Sequence, residues 1–209
     1  MKLYYSPGAC SLAPHIALSE SGLPYSTKIV DLKKHALADG TDYYAINPKG
    51  YVPLLELDDG SRLSEVAVIL QYIADRRPGS LAPVFGTMDR YRVMEWLNFV
   101  ATEIHKQFSP LWYPTTPDVT KEAQTTKLAT RFDLVAKTLA MQPYLTGDAF
   151  TIADAYLFTI LNWAPMLKVD LAPWPALQKF QVRVAARPAV RAALVAEGLV
   201  KPERETATA

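Results

Sequence analysis

The stretch KLYYSPGACSLAPHIAL, residues 2–18, decides how the first part of the chain folds. Residues 2–6 have the composition of a short β-strand, and Pro7-Gly8 closes it with a turn signal. Apolar residues then recur at helical spacing over residues 11–21, and Gly22 follows where a helix C-terminus favours glycine. The stretch therefore predicts a strand, a tight loop and a helix.

The predicted helix begins beside the single cysteine of the chain. Pro14 is tolerated only in the first turn of a helix, so the helix should start near Cys10 or Ser11. A thiol at a helix N-terminus meets unpaired N–H groups and the positive end of the helix dipole, which favour the thiolate. A lone cysteine can equally be a small buried residue, and the local sequence leaves both interpretations open. Ala13 occupies the position of a second cysteine in a CxxC motif, which excludes a self-contained dithiol cycle.

Outward from this stretch, the first 77 residues alternate strand and helix patterns. A strand pattern over residues 25–32 completes a β-α-β unit, and the polar stretch at 33–46 contains at most a short helix. The next segments are a loop at 47–53, a β-hairpin with an Asp-Gly turn at 54–63 and a helix at 64–77. The predicted order is β-α-β-α-β-β-α.

Beyond residue 77 the strand patterns disappear. We expect an α/β domain over residues 1–77, a Pro/Gly-rich linker over 78–86 and an all-helical domain over 87–209. Prolines separate helical patterns at 87–109, 118–141, 152–168, 175–186 and 188–196. Thr151 and Asp154 have the spacing of a capping box, which is a folding signal rather than a catalytic one.

Composition excludes several classes of protein. The chain has 209 residues, of which 50% are hydrophobic and 21% charged, with a formal net charge of +1. There is no basic excess for nucleic-acid binding, no apolar run long enough for a transmembrane helix and no secretory signal pattern, so we expect a cytoplasmic protein. One cysteine excludes an intrachain disulfide, and three scattered histidines form no ligand-spaced cluster, so we expect no metal.

Two short motifs offer binding groups, and each has an ordinary alternative. In GYVP, residues 50–53, a cis Val52-Pro53 bond could turn backbone groups toward a peptide-like ligand, whereas a trans loop proline would have no such role. At the predicted helix start, the N–H groups of Glu65 and Val66 could hold a carboxylate, and the Glu65 side chain an ammonium group. Alternatively, Ser64 is an N-cap and Glu65 a first-turn acid.

A polar, uncharged stripe lies on the first long helical pattern. At 100° per residue, Asn98, Thr102, His105 and Ser109 fall on one side of the helix and border its apolar face. A fully solvated face usually carries Lys and Glu, so the stripe is consistent with the wall of a cleft, as well as with ordinary boundary residues.

The order of these elements resembles the glutathione transferases, and the bacterial beta class in particular. The resemblance covers the chain to about residue 200 and rests on the segments MKLYYSPGACSLAPHIAL, DYYAINPKGYVPLLELDDG, LSEVAVILQYIAD, EWLNFVATEIHKQFSPL and FTIADAYLF. It implies a thioredoxin-like N-terminal domain, an all-α C-terminal domain, glutathione as co-substrate and a homodimer.

The resemblance also implies roles for individual residues. Cys10 and His105 would lie at the glutathione sulfur, and Cys10 could form a mixed disulfide with it. Val52-Pro53 would pair with the cysteinyl backbone of glutathione, while Glu65 and the N–H of Val66 would hold its γ-glutamyl end. Glu103 would reach the tripeptide bound in the partner subunit. Other residues implied at the glutathione site are Tyr5, Ala9, Tyr51, Asn98 and Thr102.

Two positions depart from the pattern of the family. His35 stands where relatives often carry a lysine that helps to hold the glycyl carboxylate, which would make this anchoring pH-dependent. Val66 stands where relatives often carry a small residue, which would narrow the pocket.

The expected activity is conjugation of glutathione thiolate to electrophiles held in an apolar pocket. Trp112, Tyr156 and Trp163 are candidates for the wall of that pocket, although core packing would explain aromatic residues equally well. The alternatives are a glutathione-dependent thiol-disulfide reductase or reductive dehalogenase, and a transferase-fold protein that binds or regulates without catalysis.

Overall fold

The computed structural model describes residues 1–202, so residues 203–209 of the predicted helical domain lie outside the described part. Its first part is a five-stranded sheet in the order β3-β2-β1-β4-β5. The strands are β1 (Lys2–Tyr5), β2 (Ser26–Asp31), β3 (Ala36–Leu37), β4 (Leu54–Glu56) and β5 (Arg62–Ser64). The β1 and β2 strands are parallel, and the other neighbours are antiparallel.

Helices α1 (Leu12–Ser21) and α2 (Val66–Arg76) belong to the same part of the chain. Their apolar residues form one core with the central strands; Leu3, Ile16, Leu55 and Ile69 are completely buried there. The predicted second helix is reduced to a 3₁₀ turn at Tyr43–Ala45, and the short β3 strand was not predicted.

The ends of α1 follow the sequence signals. The helix starts at Leu12, so Pro14 lies in its first turn, as predicted. It ends at Gly22, whose φ of 65° is a left-handed conformation that glycine adopts without steric cost. The predicted start of the next helix at residue 64 is wrong by two residues, because Ser64 pairs with Leu54 in the sheet. Ser64 is therefore not the N-cap of α2.

Helices form the part of the chain after residue 87. They are α3 (Met88–Phe99), α4 (Lys106–Phe108), α5 (Asp118–Met141), α6 (Ile152–Leu161), α7 (Trp163–Met166), α8 (Pro175–Ala185) and α9 (Pro188–Ala196). The predicted helix at 87–109 is interrupted by a π-helical segment at Val100–His105, and a 3₁₀ turn at Ser109–Trp112 follows α4. Because a π turn holds more residues than an α turn, the predicted stripe does not stay on one face.

Helix α6 is buried along its whole length and starts with the predicted capping box. Thr151 accepts a hydrogen bond from the N–H of Ala153, and the carboxylate of Asp154 accepts one from the N–H of Thr151. Helix α1 packs against both α6 and α9, which joins the sheet-containing part to the helical part. Across residues 1–202, every helix is too short or too polar to span a bilayer.

Candidate active site

A cavity of about 1140 Å³ lies between the sheet-containing part and the helices. Its walls come from four places: the loop after β1, the turn before β4, the start of α2 and the helical part. Residues from these segments that line it include Gly8, Ala9, Cys10, Tyr51, Val52, Pro53, Glu65, Val66, His105, Lys106, Ser109, Trp112, Tyr156 and Trp163.

Cys10 lies on a turn that precedes α1, opposite the Val52-Pro53 bond, which is cis. The Cys10 thiol donates a hydrogen bond of 3.4 Å to the carbonyl of Val52. Burial raises the pKa of Cys10 to about 12, and the nearby N–H groups and Lys106 offset only part of this effect. Of the two interpretations that the sequence leaves open, this shift favours the protonated thiol, because desolvation outweighs the helix start.

Glu65 joins β5 to α2 in a left-handed conformation, with a φ of 74°. Non-glycine residues seldom adopt this conformation, and they do so mainly at functional positions. Its carboxylate pairs with the Lys49 ammonium at 2.6 Å, and that ammonium also donates to the Ser64 hydroxyl at 3.0 Å. Val66 is the first residue of α2 and is almost completely buried at the cavity wall. The Glu65 side chain therefore already has a cation partner.

His105 lines the cavity from its helical side. Its Nδ1 atom is 2.7 Å from the hydroxyl of Tyr156, and its ring meets Trp163 edge to face at 5.0 Å. Burial, assisted by the charge of Lys106, lowers the pKa of His105 to about 4. Burial also raises the pKa of Tyr156 well above its ordinary value. At neutral pH, His105 and Tyr156 are therefore both uncharged.

The aromatic residues form one wall of the cavity. Trp163 is buried and donates from Nε1 to the carbonyl of Gly8 at 2.8 Å. Trp112 also lines the cavity, meets Trp163 edge to face at 5.5 Å and is 44% exposed. The N–H of Gly8 donates to Glu197 at 2.9 Å, so side chains of the helical part hold Gly8 through both its N–H and its carbonyl. This arrangement fixes the loop that carries Cys10.

Comparison with known proteins identifies the family. The families described as "Glutathione S-transferase, N-terminal domain" and "Glutathione S-transferase, C-terminal domain" match residues 8–76 and 99–188. "Glutathione S-transferase GstA" of Escherichia coli O157:H7 is 49% identical over 201 residues, which cover 95% of this chain and 100% of that protein. The chain belongs to the glutathione S-transferase family. It is an enzyme of this family, and the predicted fold class is confirmed.

Solved structures support the same assignment. "Ternary complex of BphK, a bacterial GST" matches with a TM-score of 0.93 and 53% identity, covering 95% of this chain and 100% of the other. A sphingomonad glutathione S-transferase complexed with glutathione (TM-score 0.91, 46% identity) and a bacterial beta class transferase from Sphingomonas chungbukensis (TM-score 0.91, 44% identity) each cover 96% of this chain and 100% of their own. The predicted resemblance to the bacterial beta class of glutathione transferases is confirmed.

Several residues expected at the glutathione site of this transferase are not among the described residues that line the cavity. Asn98 and Thr102 are exposed, and their side chains donate to carbonyls one helical turn earlier. Glu103 forms an ion pair with Arg131 of the same chain at 2.6 Å. Tyr5 is buried, and its ring packs against His15. Their expected roles at the glutathione site stay predictions.

His35 also lies outside the cavity lining. Its Nδ1 atom is 2.8 Å from the carbonyl of Gly50, and its ring contacts the Tyr44 ring in a tilted arrangement with the centroids 4.6 Å apart. His35 therefore contacts the segment that precedes Val52-Pro53.

Sequence reasoning missed other lining residues of this transferase. Lys106 follows His105 directly, and its charge acts on both His105 and Cys10. Asn162 and Gln181 form an amide pair at 2.7 Å on the helical side of the cavity. Lys106 could have been found from its position next to His105. No local signal marks the amide pair, because Asn162 and Gln181 are distant in sequence and meet only when α8 packs in the fold. Within residues 1–202, no group of three His, Cys, Asp or Glu side chains is arranged to hold a metal ion.

Proposed function

We propose that this transferase conjugates the thiolate of glutathione to apolar electrophiles. The observation that carries the proposal is one cavity in which Cys10, the cis Val52-Pro53 turn, Glu65 and His105 face an aromatic wall. The turn would pair with the cysteinyl backbone of glutathione, and the start of α2 would hold its γ-glutamyl end. The tripeptide sulfur would then lie between Cys10 and His105, close to Trp112, Tyr156 and Trp163.

In this proposal, Cys10 stabilises the reacting sulfur and does not itself attack the electrophile. A thiol with a pKa of about 12 is protonated at neutral pH, so it can donate a hydrogen bond to a glutathione thiolate. In this structure that single proton is donated to the carbonyl of Val52, and in the proposed complex it would turn to the glutathione sulfur. His105 is uncharged and contributes a polar edge, while Lys106 supplies positive charge at the cavity wall. The glutathione sulfur bonds to the electrophilic carbon, the leaving group departs with its electron pair, and the thiol proton passes to solvent.

The position of Cys10 also supports thiol-disulfide exchange as a second activity. A deprotonated Cys10 can attack one sulfur of glutathione disulfide, which breaks that S–S bond and releases one glutathione thiolate. The product is a mixed disulfide between Cys10 and glutathione. The high pKa of Cys10 makes this reaction slow, so we place conjugation first.

Two substitutions at Cys10 separate these activities. Cys10→Ser keeps a hydrogen-bond donor but cannot form a disulfide, whereas Cys10→Ala loses both functions. With 1-chloro-2,4-dinitrobenzene and glutathione, we expect conjugation to be retained by the serine variant and lowered by the alanine variant. Disulfide reduction should be abolished in both variants. Equal loss of conjugation in both would show that the sulfur of Cys10 is needed for its reactivity.

Retention on immobilised glutathione, measured together with turnover, distinguishes an enzyme from a non-catalytic binding protein. We expect wild-type protein to be retained and to turn over the aryl halide. Retention without turnover of any electrophile or disulfide would favour the binding protein, and absence of both would contradict the proposal.

We propose further that the enzyme acts as a cytoplasmic homodimer in detoxification. Apolar side chains at the junction of the two parts support the dimer, because Val84, Phe85 and Met88 are each at least 60% exposed. Glu103 would approach the neighbouring subunit's ligand, although it is paired with Arg131 in the single chain. Light scattering coupled to gel filtration should give twice the chain mass of 23.2 kDa.

A further inference from the structure

Three successive carbonyls in the turn at the cavity are each held by a side chain from elsewhere in the sheet-containing part. The Gly50 carbonyl contacts His35, the Tyr51 carbonyl accepts from Asn47 and Tyr43, and the Val52 carbonyl accepts from Cys10. Asn47 and Tyr43 are themselves buried. The backbone leading to Val52 is therefore fixed by a row of side-chain donors, and His35 is the first of them.

The conformation of His35 is specific to this contact. Its φ of 49° is left-handed, and its own carbonyl accepts from the N–H of Tyr43 at 2.8 Å. Its ring lies against the Tyr44 ring at a tilt of 32°, and Tyr44 also lies close to Gly50. A Cβ atom at Gly50 would overlap the Tyr44 ring, so only glycine allows this close approach. His35, Tyr44 and Gly50 thus form one packed unit, which we call the Gly50 brace.

The chemistry of the Gly50 carbonyl determines which ring nitrogen of His35 carries a proton. A carbonyl oxygen only accepts hydrogen bonds, so Nδ1 must carry the proton in the bond to Gly50. Both the neutral Nδ1–H tautomer and the doubly protonated ring satisfy this bond. The contact is therefore made through the ring position nearest the backbone, and it needs no positive charge.

We propose that His35 is a positioning residue that holds the Gly50 carbonyl and thereby orients the backbone of Tyr51 and Val52 toward the ligand. The inference rests on the proposed function, in which that backbone pairs with the cysteinyl part of glutathione. It replaces the expectation that His35 binds the glycyl carboxylate directly. Tyr51 and Val52 line the cavity, whereas His35 is not among its described lining residues.

The two roles of His35 predict opposite results for a pair of substitutions. Asparagine tolerates a left-handed φ and carries its amide nitrogen at the same branch position as Nδ1, so His35→Asn keeps the donor and removes the charge. His35→Lys keeps a positive charge but has no donor at that position. A positioning role is preserved by asparagine and lost with lysine, whereas a direct anchor is preserved by lysine and lost with asparagine.

The experiment measures binding of two ligands by titration calorimetry: glutathione, and γ-glutamylcysteine, which lacks the glycyl residue. We expect His35→Asn to bind both ligands as wild type does. We expect His35→Lys to bind both more weakly by the same factor, about five-fold to ten-fold, as for loss of one hydrogen bond. Far-UV circular dichroism and the thermal midpoint check folding, and if the lysine variant does not fold, His35→Gly replaces it as the donor-free variant.

Three outcomes would overturn the proposal. His35→Asn could lose affinity for glutathione alone, which would identify a direct contact with the glycyl carboxylate. Alternatively, the asparagine and lysine variants could each bind the two ligands with wild-type affinity. In the third outcome, the two variants lose the same amount of affinity for each ligand. Neither of these results fits a role for the Nδ1 donor. Failure of the wild-type protein to bind either ligand would instead contradict the proposed function, so the two failures are distinguishable.

Discussion

Burial has opposite effects on the pKa values of Cys10 and His105, and both effects leave the group uncharged at neutral pH. Removing a thiol from water disfavours its anion, and removing an imidazole from water disfavours its cation. The resulting pKa values are about 12 for Cys10 and about 4 for His105. Cys10 and His105 are therefore neutral hydrogen-bonding groups at neutral pH, and in the proposed reaction the glutathione thiolate carries the reactive charge.

The first prediction concerns the reactivity of Cys10. With a pKa of about 12, roughly one molecule in 10⁵ carries the thiolate at pH 7, so iodoacetamide should modify the folded protein far more slowly than the urea-unfolded protein. The chain has one cysteine, so the intact mass reports this site alone. The rate in the folded protein should still be rising above pH 10. Alkylation at pH 7 that is equally fast in both states would contradict the shift.

The second prediction concerns the stability of the protein in acid. Because the pKa of folded His105 lies below the ordinary histidine value, its contribution is complete above about pH 6.5 and decreases as the pH falls toward 4. The wild type should lose up to about 3 kcal/mol of unfolding free energy over this range through His105. Urea unfolding of wild type and His105→Asn at pH 7.5 and 4.5 isolates this contribution, since all other groups are shared. Equal losses in both proteins would rule out a neutral His105.

At the scale of single elements, the capping box of α6 supports the most buried helix of the molecule. Asp154 is completely buried and accepts hydrogen bonds from the N–H groups of Leu145 and Thr151 and from the Thr151 hydroxyl. The carboxylate thus ties the loop before the helix to the first helical turn.

Removal of this carboxylate should destabilise the fold. Asp154→Ala leaves two buried N–H groups without acceptors, so we expect a loss of about 2–4 kcal/mol of unfolding free energy. Asp148→Ala is the matched control, because Asp148 lies in the same loop but is exposed, and it should change stability by less than about 0.5 kcal/mol. Both values come from urea denaturation at pH 7. Equal effects of the two substitutions would show that the capping box contributes nothing specific.

Elements could be predicted from the sequence wherever a local rule acts. Pro14 and Gly22 set the ends of α1, and Thr151 with Asp154 set the start of α6, because turns and caps depend on nearby backbone groups. The π-helical segment at Val100–His105 was missed, since it alters the period on which the prediction of a polar stripe relied.

The candidate site was predictable only in part, for a related reason. Residues on the turns around the cavity, such as Cys10 and Glu65, could be identified from their motifs. Two ion pairs could not be predicted, namely Glu65 with Lys49 and Glu103 with Arg131. Side-chain contacts between distant segments leave no periodic pattern in the sequence. The sequence could not decide between a thiolate and a protonated thiol at Cys10, because burial depends on the packed chain and not on the helix start.

At the scale of the whole molecule, contacts between the two parts form part of the site. Trp163 and Glu197 of the helical part hold Gly8, and Glu197 also pairs with His15 of α1 at 2.8 Å. Arg187 donates to both carboxylate oxygens of Glu20 at 2.6 and 2.8 Å. Because these contacts fix the loop that carries Cys10, the sheet-containing part should not keep its active geometry when the helical part unfolds.

The two parts should therefore unfold together. The four tryptophans, at positions 96, 112, 163 and 174, all report on the helical part, whereas the single cysteine reports on the other part. Tryptophan fluorescence and accessibility of Cys10 to a thiol reagent should give the same urea midpoint.

A substitution at the interface makes this test more stringent. Arg187→Met removes the paired hydrogen bonds to Glu20 and should cost about 1–3 kcal/mol of unfolding free energy. Both midpoints should shift together, because the lost contact stabilises a single cooperative unit. Arg92→Met is the control, since its ion pair with Glu95 is exposed and lies within one helix. Exposure of Cys10 at a lower urea concentration than the fluorescence change would show that the sheet-containing part unfolds on its own.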